Sequence, residues 1–232
     1  MDYRNYDRGY AEPTMSASDY MTRTYRWMAC GLLITFAMAY LTATTSLIYL
    51  VDSLYLVLTI AELALVFVLS SRVQTMSVGA ARAAFFGYAL LNGMVLSYYF
   101  LVFSASTLIM ALLATSLYFG LMAVYGTTTH KDLTGWGPPA DGRLVAMIIT
   151  GFVGCCRLRF GGSVLYCGIG LVVFMLLTAY DTQKLQQMYS YYSADAEMAE
   201  KASIYGALTL YLDFINIFLY VVRLMGNNRR RS

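Results

Sequence analysis

Three acidic residues stand where this sequence is otherwise apolar: Glu62 in I-A-E-L-A-L, Asp181 in T-A-Y-D-T-Q, and Asp213 in L-Y-L-D-F-I-N. A carboxylate among apolar side chains must be paired, hydrogen-bonded or protonated, because taking its charge out of water is expensive. Two carboxylates brought close do not both ionise easily, so a pair can share a proton; a nearby arginine competes by favouring the charged form. Asp181 and Asp213, with Arg72, therefore read as a candidate proton switch. Carboxylate oxygens are also the hard ligands that calcium takes, so the same pair is a candidate transient calcium site. A structural reading stands beside this one: Asp181 capping a loop and reaching water, and Asp213 hydrogen-bonding locally.

These residues have to be positioned by helices. The chain has 232 residues, 59% hydrophobic and only 12% charged. An average soluble domain is about 25% charged; 16 Lys and Arg with 13 Asp and Glu would wet a soluble surface of this size poorly. A bilayer core about 30 Å thick needs about 20 apolar residues of helix. Seven apolar runs meet or approach that length: Trp27 to Tyr49, Leu54 to Ser70, Ala83 to Phe103, Ser106 to Tyr125, Leu144 to Cys156, Val164 to Tyr180 and Ile204 to Gly226. The chain is thus predicted to be an all-α, polytopic membrane protein. It divides into a polar tail (residues 1–26), a seven-helix transmembrane domain (27–226) and a basic tail (227–232). The fifth run is short and is followed by Arg157, Arg159, Gly161 and Gly162. Six spans with a re-entrant piece over residues 144–163 is the alternative topology.

The last run is the most informative. At 100° per residue, Gly206, Thr209, Asp213, Asn216, Tyr220 and Arg223 share one face. Lipid cannot satisfy such a stripe, so it must face protein or water. This predicts a central last helix wrapped by the others. With that helix starting near Ile204, Asp213 lies about 14 Å deep. Asp181 ends the sixth run and Arg72 ends the second, both on the face where the last helix begins. Glu62, about 15 Å deeper than Arg72, is placed to approach Asn216 or Arg223, as part of a polar stripe or ion path.

Charge sets the orientation. On the N-terminal face lie Arg72, Arg82, Lys131, Arg143, Lys184 and Lys201; the first two loops of the other face have no Lys or Arg. The positive-inside rule then puts the N-terminus in the cytoplasm; Arg229, Arg230 and Arg231 argue the other way if there are seven spans. That arginine cluster reads as an interfacial anchor rather than a nucleic-acid tail. The N-terminal segment lacks the pattern of a signal peptide. Cys30, Cys155, Cys156 and Cys167 show no C-x-x-C spacing, and His130 stands alone in a loop, so neither a zinc site nor a catalytic triad is indicated. Small residues mark candidate helix contacts: Ala80, Ala83, Ala84 and Gly87 in the third run, Gly168 and Gly170 in the sixth.

Several segments resemble the Bax inhibitor-1 (transmembrane Bax inhibitor motif) family. The strongest are A-Y-D-T-Q-K-L at 179–185 and L-T-L-Y-L-D-F-I-N-I-F-L-Y-V-V-R-L-M-G at 208–226. S-S-R-V-Q-T-M-S at 70–77, A-F-F-G-Y-A-L-L-N-G-M at 84–94 and Y-G-T-T-T-H-K-D-L at 125–133 also look like it. The resemblance covers the chain from about residue 20 onward and is to bacterial members. It differs at G-C-C-R-L-R-F-G-G, where a more apolar, Asn-containing stretch would be expected. It implies seven helices with a central last helix, in a bacterial inner (plasma) membrane. It implies a pH-sensitive calcium leak with the aspartate pair on Asp181 and Asp213 and a latch arginine on Arg72; Glu62 and Arg223 look like a further acid and base. No cofactor is expected, calcium being the permeant ion. Implied partners are the lipid bilayer, calcium ions and other membrane proteins such as a membrane-bound ATP-dependent protease, with no nucleic acid.

Two rival functions remain. One is a non-conducting regulator that binds other membrane proteins, in cell-death or protease modulation. The other is an intramembrane aspartyl protease, whose paired aspartates Tyr180-Asp181 and Leu212-Asp213 resemble. Against an enzyme, Leu-Tyr-Leu rather than Gly-x-Gly precedes Asp213, and no Pro-Ala-Leu segment lies near the C-terminus. The membrane assignment itself makes a plain prediction. Alkaline carbonate should leave the protein in the membrane pellet, and only detergent should release it; recovery in the carbonate supernatant would overturn the reading.

Overall fold

The structure, a computed structural model, describes residues 15–129, 131–133 and 164–229. Its helices are α1 (Ala17–Thr44), α2 (Leu47–Arg72), α3 (Val78–Val102), α4 (Ala105–Thr128), α5 (Val164–Tyr192) and α6 (Ala196–Arg229). The fifth apolar run, with Arg143, Arg157 and Arg159 around it, lies outside the described residues, as do His130, Cys155, Cys156, Arg230 and Arg231. Helices α1 to α4, and α6 over Ala196–Gly226, are each long and apolar enough to cross a membrane. In α5, the stretch Val164–Tyr180 carries no charged residue.

Serines start three of the helices. The hydroxyls of Ser16, Ser77 and Ser104 accept from the backbone N–H of Asp19, Ala80 and Thr107, each filling one of the donors that a helix start leaves open. Asp195 does the same for α6, taking Glu197 N–H at 2.9 Å and Met198 N–H at 3.1 Å. Each described helix runs further than its apolar stretch: α2 and α3 begin at Leu47 and Val78 instead of Leu54 and Ala83, and the first run, carried to Tyr49, is broken at Thr45 and Ser46. α1 begins at Ala17 inside the polar tail, α5 continues past Asp181 to Tyr192, and α6 starts at Ala196 inside the polar connector. The reason is local: capping, and the Glu197–Lys201 pair at 2.7 Å one turn apart, favour helix where hydropathy alone gives no signal. Asp181 consequently sits within α5 rather than at its end.

α6 packs against α5, α1, α4 and α3, whereas α2 lies on α3 and α1. The most apolar window of α6 is 67% buried, that of α2 only 11%. An apolar helix left so exposed is tolerable only where lipid covers it. Ring contacts stitch the core: Phe85 and Tyr88 meet Tyr211 edge-on at 6.0 and 5.7 Å, and Phe119 meets Phe214 at 5.5 Å.

The helices are brought together at glycines. On the α1/α3 face, Gly93 lies against the carbonyl of Thr35 and the side chain of Met38; Gly126 of α4 lies against the backbone of Ala179 in α5. The register of α5 on α6 is set by Leu185 over Gly206 and Tyr220 over Gly170. Of the small residues expected at contacts, Gly170 is one, Gly168 meets nothing within 4 Å, and Ala80 and Ala83 are exposed. Without apolar burial as a drive, close backbone approach supplies the dispersion that holds helices together in lipid. A methyl at Gly126 would collide with backbone that cannot yield. Gly126→Ala should therefore cost about 1–3 kcal/mol, read as a fall in Tm in detergent. Gly120→Ala in the same helix, with nothing within 4 Å, should be neutral or slightly stabilising. Equal Tm values would mean that α4 and α5 do not touch there.

Candidate functional site

Asp181 and Asp213 are both buried, at 4% and 3% exposure, on the paired helices α5 and α6. The antiparallel register fixed at Leu185/Gly206 and Gly170/Tyr220 puts the two aspartates within about one helical turn, ~5 Å, of each other along the bundle axis. The motif around Asp181 is explained residue by residue. Ala179 receives Gly126 of α4. Tyr180 packs with Leu133. Thr182 donates to Thr178 O at 2.8 Å. Gln183 clamps the chain after α4: its Oε1 accepts from Leu133 N–H and its Nε2 donates to Lys131 O, each at 2.9 Å. Leu185 fits over Gly206. So the motif seats α4 and the segment after it beside Asp181.

The other site residues fall differently. Arg72 is the last residue of α2 and is exposed; among the described residues it makes no ion pair. Glu62 finds its hydrogen-bond partners on α3. It accepts from Asn92 Nδ2 of α3, and the Tyr88 hydroxyl, also of α3, reaches it too. The cause is packing: α2 lies on α3 and α1, so the hydrogen-bond partners of Glu62 come from α3, with Tyr211 of α6 close behind Tyr88. Asn216 donates back to Leu212 O at 2.7 Å, within its own helix. Arg223 donates to Tyr99 Oη at 2.6 Å and lies over the Tyr99 and Tyr220 rings, 5.9 and 6.0 Å from their centroids. The stripe on α6 therefore seats on protein at Gly206 and Tyr220, and meets α3 at Arg223.

Two polar clusters were not legible in the sequence. The first joins four helices. Tyr88 bridges from Glu62 to the ring of Tyr211, and Tyr211 Oη lies 2.6 Å from Thr35 Oγ1. Thr35 Oγ1 is 2.9 Å from both Gly31 O and Ala89 O, so its one proton goes to a carbonyl and Tyr211 donates to it. The second cluster is Glu200, which is buried and held by Arg23 of α1 and Arg82 of α3. Arg82 also lies over Trp27 at 5.3 Å. The only sequence signal for it is that Glu200 falls one turn above Ile204, on a helix that hydropathy starts too late.

Comparison with known proteins places the chain in a family. Residues 17–230 match the family described as "Inhibitor of apoptosis-promoting Bax1". An uncharacterized protein of Deinococcus radiodurans is 45% identical over 215 residues, covering 90% of each chain. The inner membrane protein YbhL of Escherichia coli K12 is 38% identical over 223 residues, covering 94% of this chain and 95% of its own. The uncharacterized protein RP147 of Rickettsia prowazekii is 36% identical over 217 residues, covering 90% of each. With its apolar helices and a family match running from α1 to the end of α6, the chain is an integral membrane protein that belongs to the Bax inhibitor-1 family.

Proposed function

We propose that this protein is a pH-sensitive calcium leak, gated by proton sharing between Asp181 and Asp213. The observation that carries the reading is the burial of two carboxylates on paired helices, within about one turn of each other in register. Two acids so placed are held by a shared proton and repel when both are charged. As pH rises the proton leaves, repulsion loads the α5/α6 seam, and Arg72, at the end of α2, competes for one charged aspartate. Two carboxylates fall short of the six to eight oxygens of a resident calcium site, which suits an ion in passage. The pair has no catalytic role in this reading.

The same reading takes seven crossings with a central last helix. Leu133 packs with Tyr180, about 15 Å short of the level of Glu200 along the bundle axis. Val164 begins α5 near the opposite end, beyond the Gly170–Tyr220 contact. Described residues on either side of 134–163 are thus about 24 Å apart along α5, most of a hydrocarbon core about 30 Å thick, which supports one more crossing. Arg23, Arg82, Lys184 and Lys201 gather at the face where α1, α3 and α6 begin, which supports a cytoplasmic N-terminus by the positive-inside rule. An inner-membrane location follows YbhL.

Calcium flux in proteoliposomes, from about pH 5 to about pH 8, tests the gate. Asp213→Asn keeps shape and hydrogen-bonding capacity and should fold normally while losing the pH dependence of the flux. Asp195→Asn should change nothing, since Asn caps a helix as well as Asp. Equal effects would mean that surface charge, not a buried pair, sets the response. Flux indifferent to pH in the wild type would sink the gate. Protein that carries no calcium but co-purifies with one stoichiometric membrane partner would favour a non-conducting regulator.

A separate measurement isolates the latch. Arg72→Ala should alter the flux–pH curve without lowering Tm. A curve matching wild type at every pH would reduce Arg72 to a topological anchor.

A further inference from the structure

At the cationic end of the bundle, a cavity of about 350 Å³ opens between the end of α2, the last turns of α5 and the first turns of α6. Ser70, Ser71, Gln74, Lys184, Tyr192 and Lys201 give it a polar wall; two lysines line it and no carboxylate does. Val73 and Met188 complete an apolar side.

The donors are arranged for an anion. Lys201 is only 7% exposed. Its ammonium lies 2.7 Å from Glu197 Oε1 and 3.5 Å from Gln74 O. An ammonium has three protons to donate, so a third remains for the cavity. The Glu197 carboxylate is 63% exposed and is screened by solvent, which weakens its hold on Lys201. Gln74 Nε2 donates to Tyr192 Oη at 3.0 Å, which leaves the phenol its own proton to give. Two ammonium groups with a phenol and the Ser70 hydroxyl match the three or four oxygens of a phosphate, while Ser71 gives its proton to Phe67 O at 2.7 Å and stands at the rim.

The position of the cavity identifies the source of that phosphate. One wall is the end of α2, and one turn deeper in the membrane Phe67 and Val68 of the same helix are exposed at 52% and 38%. A headgroup in the cavity would lay its acyl chains along this apolar face. The cavity also sits at the level of the cationic cluster, where anionic headgroups concentrate.

We propose that this cavity binds a phosphate group on Lys184 and Lys201, supplied by the headgroup of an anionic phospholipid of the same leaflet. The site is separate from the aspartate pair, so it stands whether or not the protein conducts calcium.

The test uses the full chain, purified in detergent and stripped of lipid. Native mass spectrometry and thermal unfolding are followed with phosphatidylglycerol, phosphatidylcholine or inorganic phosphate. Phosphatidylglycerol should be retained and should raise Tm; phosphatidylcholine at the same concentration should do neither. The double variant Lys184→Gln/Lys201→Gln should weaken retention at least about tenfold, the loss expected from removing charge-assisted hydrogen bonds. Arg26→Gln, an exposed cation of α1 away from the cavity, should retain lipid as wild type does. Should the double variant fold poorly, Ser71→Asp places a repelling charge on the exposed rim and should weaken retention without lowering the lipid-free Tm. Stabilisation by inorganic phosphate without retention of phosphatidylglycerol would overturn the lipid source and leave a soluble phosphate as the ligand. Retention unchanged by both sets of substitutions, or no binding of either phosphate, would overturn the site.

Discussion

Lipid offers no hydrogen bonds, and most of this structure follows from that one constraint. Every polar group within the membrane must find a partner in protein. Glu62 finds Asn92 and Tyr88; Arg223 finds the Tyr99 hydroxyl and two aromatic faces. Thr178, Thr182, Thr209 and Asn216 turn back onto carbonyls one turn earlier in their own helices. The bonds of Glu62 and Arg223 join α2 and α6 to α3. α2 can expose most of its length to lipid because both of its acids are taken up by α3, Glu62 by Asn92 and Asp52 by the Tyr98 hydroxyl at 2.8 Å.

The same solvent removes the usual drive for packing. Leucine gains nothing by leaving lipid for a neighbouring helix, so the helices meet where backbones can come close. Gly93 against Thr35 sets α3 on α1, and Gly126 against Ala179 sets α4 on α5. Each contact lies near a polar anchor. Thr35 is where Tyr211 of α6 is bonded, and Ala179 is two residues from Asp181. Close approach and polar satisfaction therefore specify the same register, and neither would do so alone.

That logic explains what was legible in the sequence. Hydropathy located α4 well, but it began α2 at Leu54 and α3 at Ala83 instead of Leu47 and Val78, and it carried the first run to Tyr49 across the break at Thr45 and Ser46, because Asp52 and Arg82 interrupt the apolar pattern inside helices. It started α1 and α6 too late and ended α5 too early, because hydropathy responds to lipid and these turns project beyond it. The misplaced ends hid Glu200. It precedes the last apolar run by four residues and is a buried acid between two arginines. Glu62 was rightly singled out as an acid that needs a partner, but its partner depends on which helices are neighbours, and no periodicity states that. The amphipathic stripe of α6 was legible because one helix contains all of it.

The positions of the anchors also bear on how a charged pair would act. α6 is tied at one end by Glu200 to α1 and α3, and toward the other by Arg223 to α3. α5 is tied to α4 through Ala179 and to residues 131–133 through Gln183. Asp181 and Asp213 thus lie on the seam between two differently anchored helices. At the cationic end α5 is also tied to the start of α1: Tyr189 donates to Met15 O at 2.7 Å. Asp213 lies about 20 Å along α6 from Glu200, at 1.5 Å per residue. On the proposed gating, repulsion within the pair would act at a distance from this tie, and α5 would swing about its cationic end instead of sliding along α6. Sliding is opposed by Leu185 over Gly206 and Tyr220 over Gly170, two contacts that lock the register on either side of the aspartates. Rotation about a fixed end leaves the Glu200 bridges intact, so the helix that carries Asp213 stays anchored while the seam beside it yields.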